Sequence, residues 1–215
     1  MAKHKPSSKF HNNELSDEFL TVSKFKREEI KVKGSHFIAS MNCAESRTQA
    51  EEFLIKISKE FYDATHNCYA YRVGMGKGLI ERYGDQGEPS GTAGLPILNA
   101  IKSKELTNTI VVVTRYFGGT KLGTGNLARA YNSAAEKVLS NSEIITKIIR
   151  KEIRLTAPAE MVSIIYHNTH SFGGKIIVEN YNPNGDYVIS LRLSKIKSFK
   201  EQIIEATNGK AKFIE

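Results

Sequence analysis

The sequence has only two cysteines, Cys43 and Cys68. Two thiols allow one bridge at most rather than a disulfide framework, and are too few for a cysteine-rich zinc site. Nothing in the chain signals export, so reduced, buried thiols are expected. No run of about 18 apolar residues is present, so no membrane-spanning helix is expected. The opening MAKHKPSSKFHNNEL lacks the apolar stretch of a signal peptide and predicts a polar, disordered tail over 1–15 of a cytoplasmic protein. No Gly-Lys-Ser/Thr occurs anywhere, which excludes a Walker phosphate loop, and no G-x-G-x-x-G opens a helix. A dense Arg/Lys block is also missing.

What is present is a basic excess: 31 Lys+Arg against 23 Asp+Glu, a formal charge of +8. That balance favours acidic partners such as nucleic acid. Because the excess is spread along the chain, any basic footprint has to be assembled by folding. Hydrophobic residues make up 40%, enough for a packed core.

The stretch from Asp85 to Asn141 organises the rest. Two small-residue loops, Gly87–Gly94 and Gly118–Gly125, each lead into a segment of helical spacing. Between them Thr109–Phe117 is an apolar, β-branched run of strand length. In the second helix Leu127, Tyr131, Ala134, Ala135, Val138 and Leu139 form one buried stripe, and Thr124 or Asn126 is placed to cap it. Upstream, Phe19–Phe25 and Glu29–Asn42 read as strands, with Gly34 marking a bulge or bend. Ser46 with Gln49 suits a capping box opening a helix to about Tyr62. Asn67–Val73 and Leu79–Tyr83 read as strands. After Asn141 the pattern restarts: strand Ile148–Thr156, a helix with Pro158 in its first turn, strands Lys175–Tyr181 and Tyr187–Leu193 joined through a turn at 182–186, helix Ile196–Thr207, and strand Ala211–Ile214. That order, βαββαβ, is ferredoxin-like.

The ordered segments KGSHFIA (Lys33–Ala39), HNCYAYRVG (His66–Gly74), DQGEPSGTAGLPILNAI and VVVTRYFGGTKLGTGNLARAY resemble the signature of the YigZ/IMPACT family, in its bacterial two-domain form. The resemblance implies an α+β protein. Residues 16–145 would form a ribosomal protein S5 domain 2-like unit with a left-handed crossover, and 146–215 a ferredoxin-like unit resembling the ribosomal translocase's domain V. It also implies a link to translational regulation. The resemblance does not extend to the N-terminal recruitment domain of eukaryotic members, so their role in starvation-kinase regulation is not carried over.

For chemistry, the two glycine loops are the candidates. Backbone N–H groups at a helix start attract phosphate, and glycine lets the anion reach them. The expected phosphate- and RNA-binding residues are Glu88, Ser90, Gly91, Thr92 and Gly94 of the first loop. From the second come Arg115, Tyr116, Gly118, Gly119, Lys121, Gly123, Gly125, Asn126 and Arg129. Both loops are expected to leave adjacent sheet positions, so that their N–H groups converge. The alternative is two tight turns that let helices pack closely. Asp85 and Glu88 read either as an acid/base or metal pair or, more commonly, as a turn cap and a partner for Arg115. His66 and Cys68 share a strand face, as a nucleophile or ligand pair would, but lack clustered companions. Tyr69, Tyr71, Tyr83, Tyr116 and Phe117 suit base stacking or ordinary core. The expectation is a non-enzymatic RNA- or ribosome-associated protein without catalytic residues, metal or cofactor. Alternatives are an enzyme acting on a small phosphorylated metabolite, and a protein-interaction module. Oligomeric state is not legible.

Overall fold

The computed structural model describes residues 17–180 and 184–214. The tail expected over 1–15 lies outside the described residues, as do residues 182 and 183 of the expected turn. The chain is a mixed α/β protein with several sheets and divides into two compact units. One is Phe19–Lys147; the other is the chain from Ile148 together with Asp17 and Glu18.

The first unit runs β1 (Glu18–Val22), β2 (Lys26–Val32), β3 (Ser35–Cys43), α1 (Arg47–Glu60), β4 (His66–Val73), β5 (Ile80–Gly84), α2 (Gly94–Ser103), β6 (Thr109–Tyr116), α3 (Thr124–Ser140) and β7 (Ile144–Ile148). Its main sheet has the order β2-β3-β6-β4-β5, with every neighbouring pair antiparallel, and β1 pairs with β7 apart from it.

The central strand β6 explains its own sequence. Val111 and Val113 point into a core shared with α2 and α3, while Ile110 and Val112 pack on the opposite face against Phe53 and Ile57 of α1. A strand covered on both faces cannot alternate apolar with polar, hence the continuous run. Each side chain so buried contributes about 1.5–3 kcal/mol. The α3 stripe expected from spacing is buried as read, from Leu127 through Leu139.

Sequence and structure differ locally. The segment Glu29–Asn42 contains a hairpin turn. Lys33 (φ 46°) and Gly34 (φ 83°) both adopt positive φ, as a two-residue turn matched to strand twist requires. At α1, Ser46 accepts from Gln49 N as a capping box predicts, but the Gln49 side chain accepts from Glu45 N, one residue before the cap.

The second unit runs β8 (Arg150–Pro158), α4 (Val162–Ser171), β9 (Lys175–Asn180), β10 (Asn184–Arg192), α5 (Ile196–Ala206) and β11 (Lys212–Ile214). Its antiparallel sheet has the order β11-β8-β10-β9 over a core centred on Leu155, Ile189, Leu191, Phe199 and Ile203. Pro158 ends β8 in extended backbone (ψ 148°), and a short 3-10 turn precedes α4, so this proline does not sit in the helix. Among the described residues, no helix is long and apolar enough to cross a membrane.

Candidate functional site

The first glycine loop closes on its own chain. Asp85 follows the last residue of β5, and its Oδ1 accepts from the N–H groups of Ala93 (2.9 Å) and Gly94 (2.8 Å) while Oδ2 accepts from Gly91 (2.8 Å). The carboxylate therefore sits where a bound phosphate was expected. Burial works against its charge, but the three backbone donors outweigh that and hold the carboxyl below its ordinary range. Thr92 is buried, its hydroxyl donating to Pro89 O (2.6 Å), and Ser90 is exposed. Gly94 serves packing: a Cβ there would lie 2.7 Å from Gly84 N.

Glu88 and Arg115 form a pair at 2.6 Å with side chains 4% and 7% exposed. Arg115 also reaches Ser35 Oγ (3.4 Å), and its guanidinium lies against the rings of Phe37 and Phe117. Its charge is matched internally rather than presented to a phosphate. Tyr131 donates to the same Glu88 oxygen (2.8 Å), and Cys68 Sγ lies 3.4 Å from the Tyr131 hydroxyl and 2.8 Å from Asp85 O. His66 Nδ1 lies 2.9 Å from Gln86 O, with Nε2 3.9 Å from Glu88 Oε2. His66 and Cys68 thus share one strand face, as their spacing suggested, and that face meets the Asp85–Glu88 turn. Burial pushes the Cys68 thiol up to about 12 and raises the Tyr131 hydroxyl as well, so both stay neutral. An activated nucleophile requires the opposite shift.

The second loop is the open one. Helix α3 starts at Gly123 (φ 76°) with no side-chain cap, in place of the expected Thr124 or Asn126. Asn126 instead donates to Leu122 O (3.0 Å) and accepts from Arg129 (2.9 Å). Gly119 (φ 83°) has no neighbouring atom within 4 Å of a built Cβ, and Gly125 only the Arg129 guanidinium at 3.8 Å. Gly118 is the reverse case, since a Cβ there would fall 1.9 Å from the Gly34 carbonyl carbon. Tyr116 donates to Asp63 (2.7 Å) and is absent from the cleft lining.

Between the loops lies a cleft of about 330 Å³, with Glu88, Pro89 and Arg115 on one side and Phe117, Lys121, Leu122 and Thr124 among the rest of its lining. A second cleft, about 220 Å³, brings Lys33 beside Asn126 and Arg129. Lys33 was not expected; its place in a positive-φ hairpin turn carries no chemical signal in sequence. The loops do not leave adjacent strands, because β4 separates β5 from β6. Tyr71 is core, 2% exposed, whereas Phe117 remains 46% exposed.

Residues 33–139 match the family model described as the Impact N-terminal domain. The chain is 33% identical to the IMPACT family member YvyE of Bacillus subtilis, over 90% of this chain and 88% of that protein. It is 28% identical to the IMPACT family member YigZ of Escherichia coli, over 83% and 88%. A crystal structure of a hypothetical protein, 27% identical, superposes with a TM-score of 0.68 over 94% of this chain and 99% of that one.

Proposed function

The chain belongs to the IMPACT family, and from that premise we propose that it is a non-enzymatic, cytoplasmic, RNA- or ribosome-associated regulator of translation that holds phosphate groups at Gly118–Gly125. The carrying observation is the uncapped start of the 17-residue helix α3, opening beside Lys121 at the mouth of a cleft. First-turn N–H groups and the helix dipole favour an anion there. Lys33 and Arg129 extend the positive surface along the neighbouring cleft, and the +8 net charge supports an acidic partner. The first loop supplies shape through Glu88 and Pro89, while its N–H groups are spent on Asp85. The neutral Cys68 thiol supports the non-enzymatic reading. On this reading the first unit is S5 domain 2-like and the second ferredoxin-like, with the boundary near 145.

Fluorescence anisotropy with short structured and single-stranded RNAs at two salt concentrations tests it. Binding should weaken steeply with salt, because each neutralised phosphate releases counterions. Lys121→Ala and Arg129→Ala should weaken binding across sequences and flatten the salt slope by about one unit per lost contact. Gly119→Val should obstruct the loop at unchanged charge. Folded wild-type protein that binds no RNA at low salt would overturn the reading. A phosphorylated metabolite raising its melting temperature in that case would favour an enzyme.

A further inference from the structure

The cleft between the loops has a built interior that phosphate binding alone leaves unused. Both hydrogen bonds to Glu88 fall on Oε1, from Arg115 and Tyr131. Among the described residues no hydrogen bond falls on Oε2, and His66 Nε2 lies 3.9 Å from it, so this oxygen of a carboxylate lining the cleft keeps lone pairs for a donor. Arg115, which lines the same cleft, has its buried Nε without a partner. The Arg115 guanidinium lies against the Phe117 ring at 5.5 Å, yet the ring is 46% exposed, which leaves aromatic surface open at the mouth. Pro89, Leu122 and Leu127 supply apolar walls. At about 330 Å³ the space falls at the small end of ligand pockets.

The geometry points to a pocket for one unstacked nucleobase carrying an exocyclic amino group, its 5′-phosphate at Lys121 and the start of α3. The base stacks on Phe117, and its amino group donates to Glu88 Oε2. Uracil is rejected: its one ring N–H on the pairing edge is flanked by two carbonyl oxygens, which the carboxylate repels. Adenine offers an amino donor and no such flanking pair. The phosphate seat and the assignment of this base to RNA rest on the functional reading above; the base subsite rests on Glu88 and Phe117.

Two measurements separate the two. In the first, AMP, UMP and the monophosphate of purine riboside (adenosine without its amino group) are added to wild-type protein and melting is followed. AMP should raise the melting temperature, and the other two should do so less. In the second, anisotropy compares U12 with 12-mers carrying one central adenosine or one central purine riboside. The adenosine strand should bind about tenfold more tightly than U12, with most of that gain lost in the purine riboside strand. Phe117→Ala should remove the preference and keep salt-dependent binding. RNA that binds with no base preference, with AMP no better than UMP, overturns the pocket and leaves phosphate binding standing. AMP stabilisation without RNA binding upholds the pocket and overturns RNA as its source. Neither effect overturns both.

Discussion

Replacing Asp85 with Asn keeps an acceptor for the first loop but removes the charge that three N–H groups surround. We expect about 1–2 kcal/mol lower stability at neutral pH by urea unfolding, as for a lost capping carboxylate. The sign with pH follows from the depressed carboxyl: its share of stability is present above the ordinary carboxylate range and is lost as pH falls through the lower folded value. The gap between wild type and variant should therefore narrow below about pH 4. A gap as large at pH 3 as at pH 7 would show that charge is not what the loop uses. The thiols give a second residue-scale expectation. Cys68 is fully buried and held neutral, whereas Cys43 is half-buried, so native protein should show one slowly reactive thiol and denatured protein two. Two fast native thiols would contradict this. At this scale much of the site was legible: a turn-capping carboxylate and an Arg115 partner were both readable from Asp85 and Glu88. Which carboxylate did which was not, because that depends on β4 bringing His66 and Cys68 under the turn.

Elements meet most tightly where the β2–β3 hairpin turn touches the end of β6. Gly118 and Gly34 approach so closely that either Cβ collides with the other's backbone, at 1.9 Å and 2.9 Å. Backbone cannot yield as a side-chain tip does, so Gly118→Ala should cost at least the 1–3 kcal/mol of an overpacked core and displace the hairpin. Gly119→Ala meets no atom within 4 Å and should cost only the positive-φ penalty, about 1–2 kcal/mol. Thermal unfolding of the pair checks the order; equal losses would mean that the hairpin shifts and relieves the contact at Gly118, whose φ is not positive. Adjacent glycines look alike in sequence, which is why both were read as loop-opening residues. Periodicity was informative where one face is buried, as in α3 and at Phe199 and Ile203 of α5, although Ile204, which the spacing also turns inward, is 49% exposed. It failed at β7, whose residues alternate between exposed and half-buried and bury too little to mark a strand. It also missed the end of β8, where Pro158 reads equally well as a helix opener.

At the scale of the whole molecule, the second unit draws on two separate stretches of chain, which local pattern could not display. The chain contributes to the second unit twice, first at Asp17 and Glu18 and again from Ile148. Ile149 is the single residue between β7 and β8, and its N–H donates to Asp17 O (2.6 Å) while its carbonyl accepts from Leu193 N (3.1 Å). Asp17 is 8% exposed and accepts from the Ser194 hydroxyl at 2.5 Å, and Glu18 pairs with Arg192 at 2.9 Å. We propose that the units fold independently, with this N-terminal segment acting as a strap on the second. Asp17→Ala would remove the charged acceptor of the Ser194 hydroxyl; Ser194 is itself exposed and can turn to water, so the loss should be about 1.5 kcal/mol, the low end for a hydrogen bond to a charged group. In native-state hydrogen exchange that loss should appear as roughly tenfold faster exchange of the protected amides of β8 and β10. Amides of β6 and α3 should be unchanged, because their core draws only on the first unit. Equal acceleration in both sets would mean that one cooperative transition spans the chain. Acceleration in neither would mean that Ser194 and Arg192 find water as readily as Asp17.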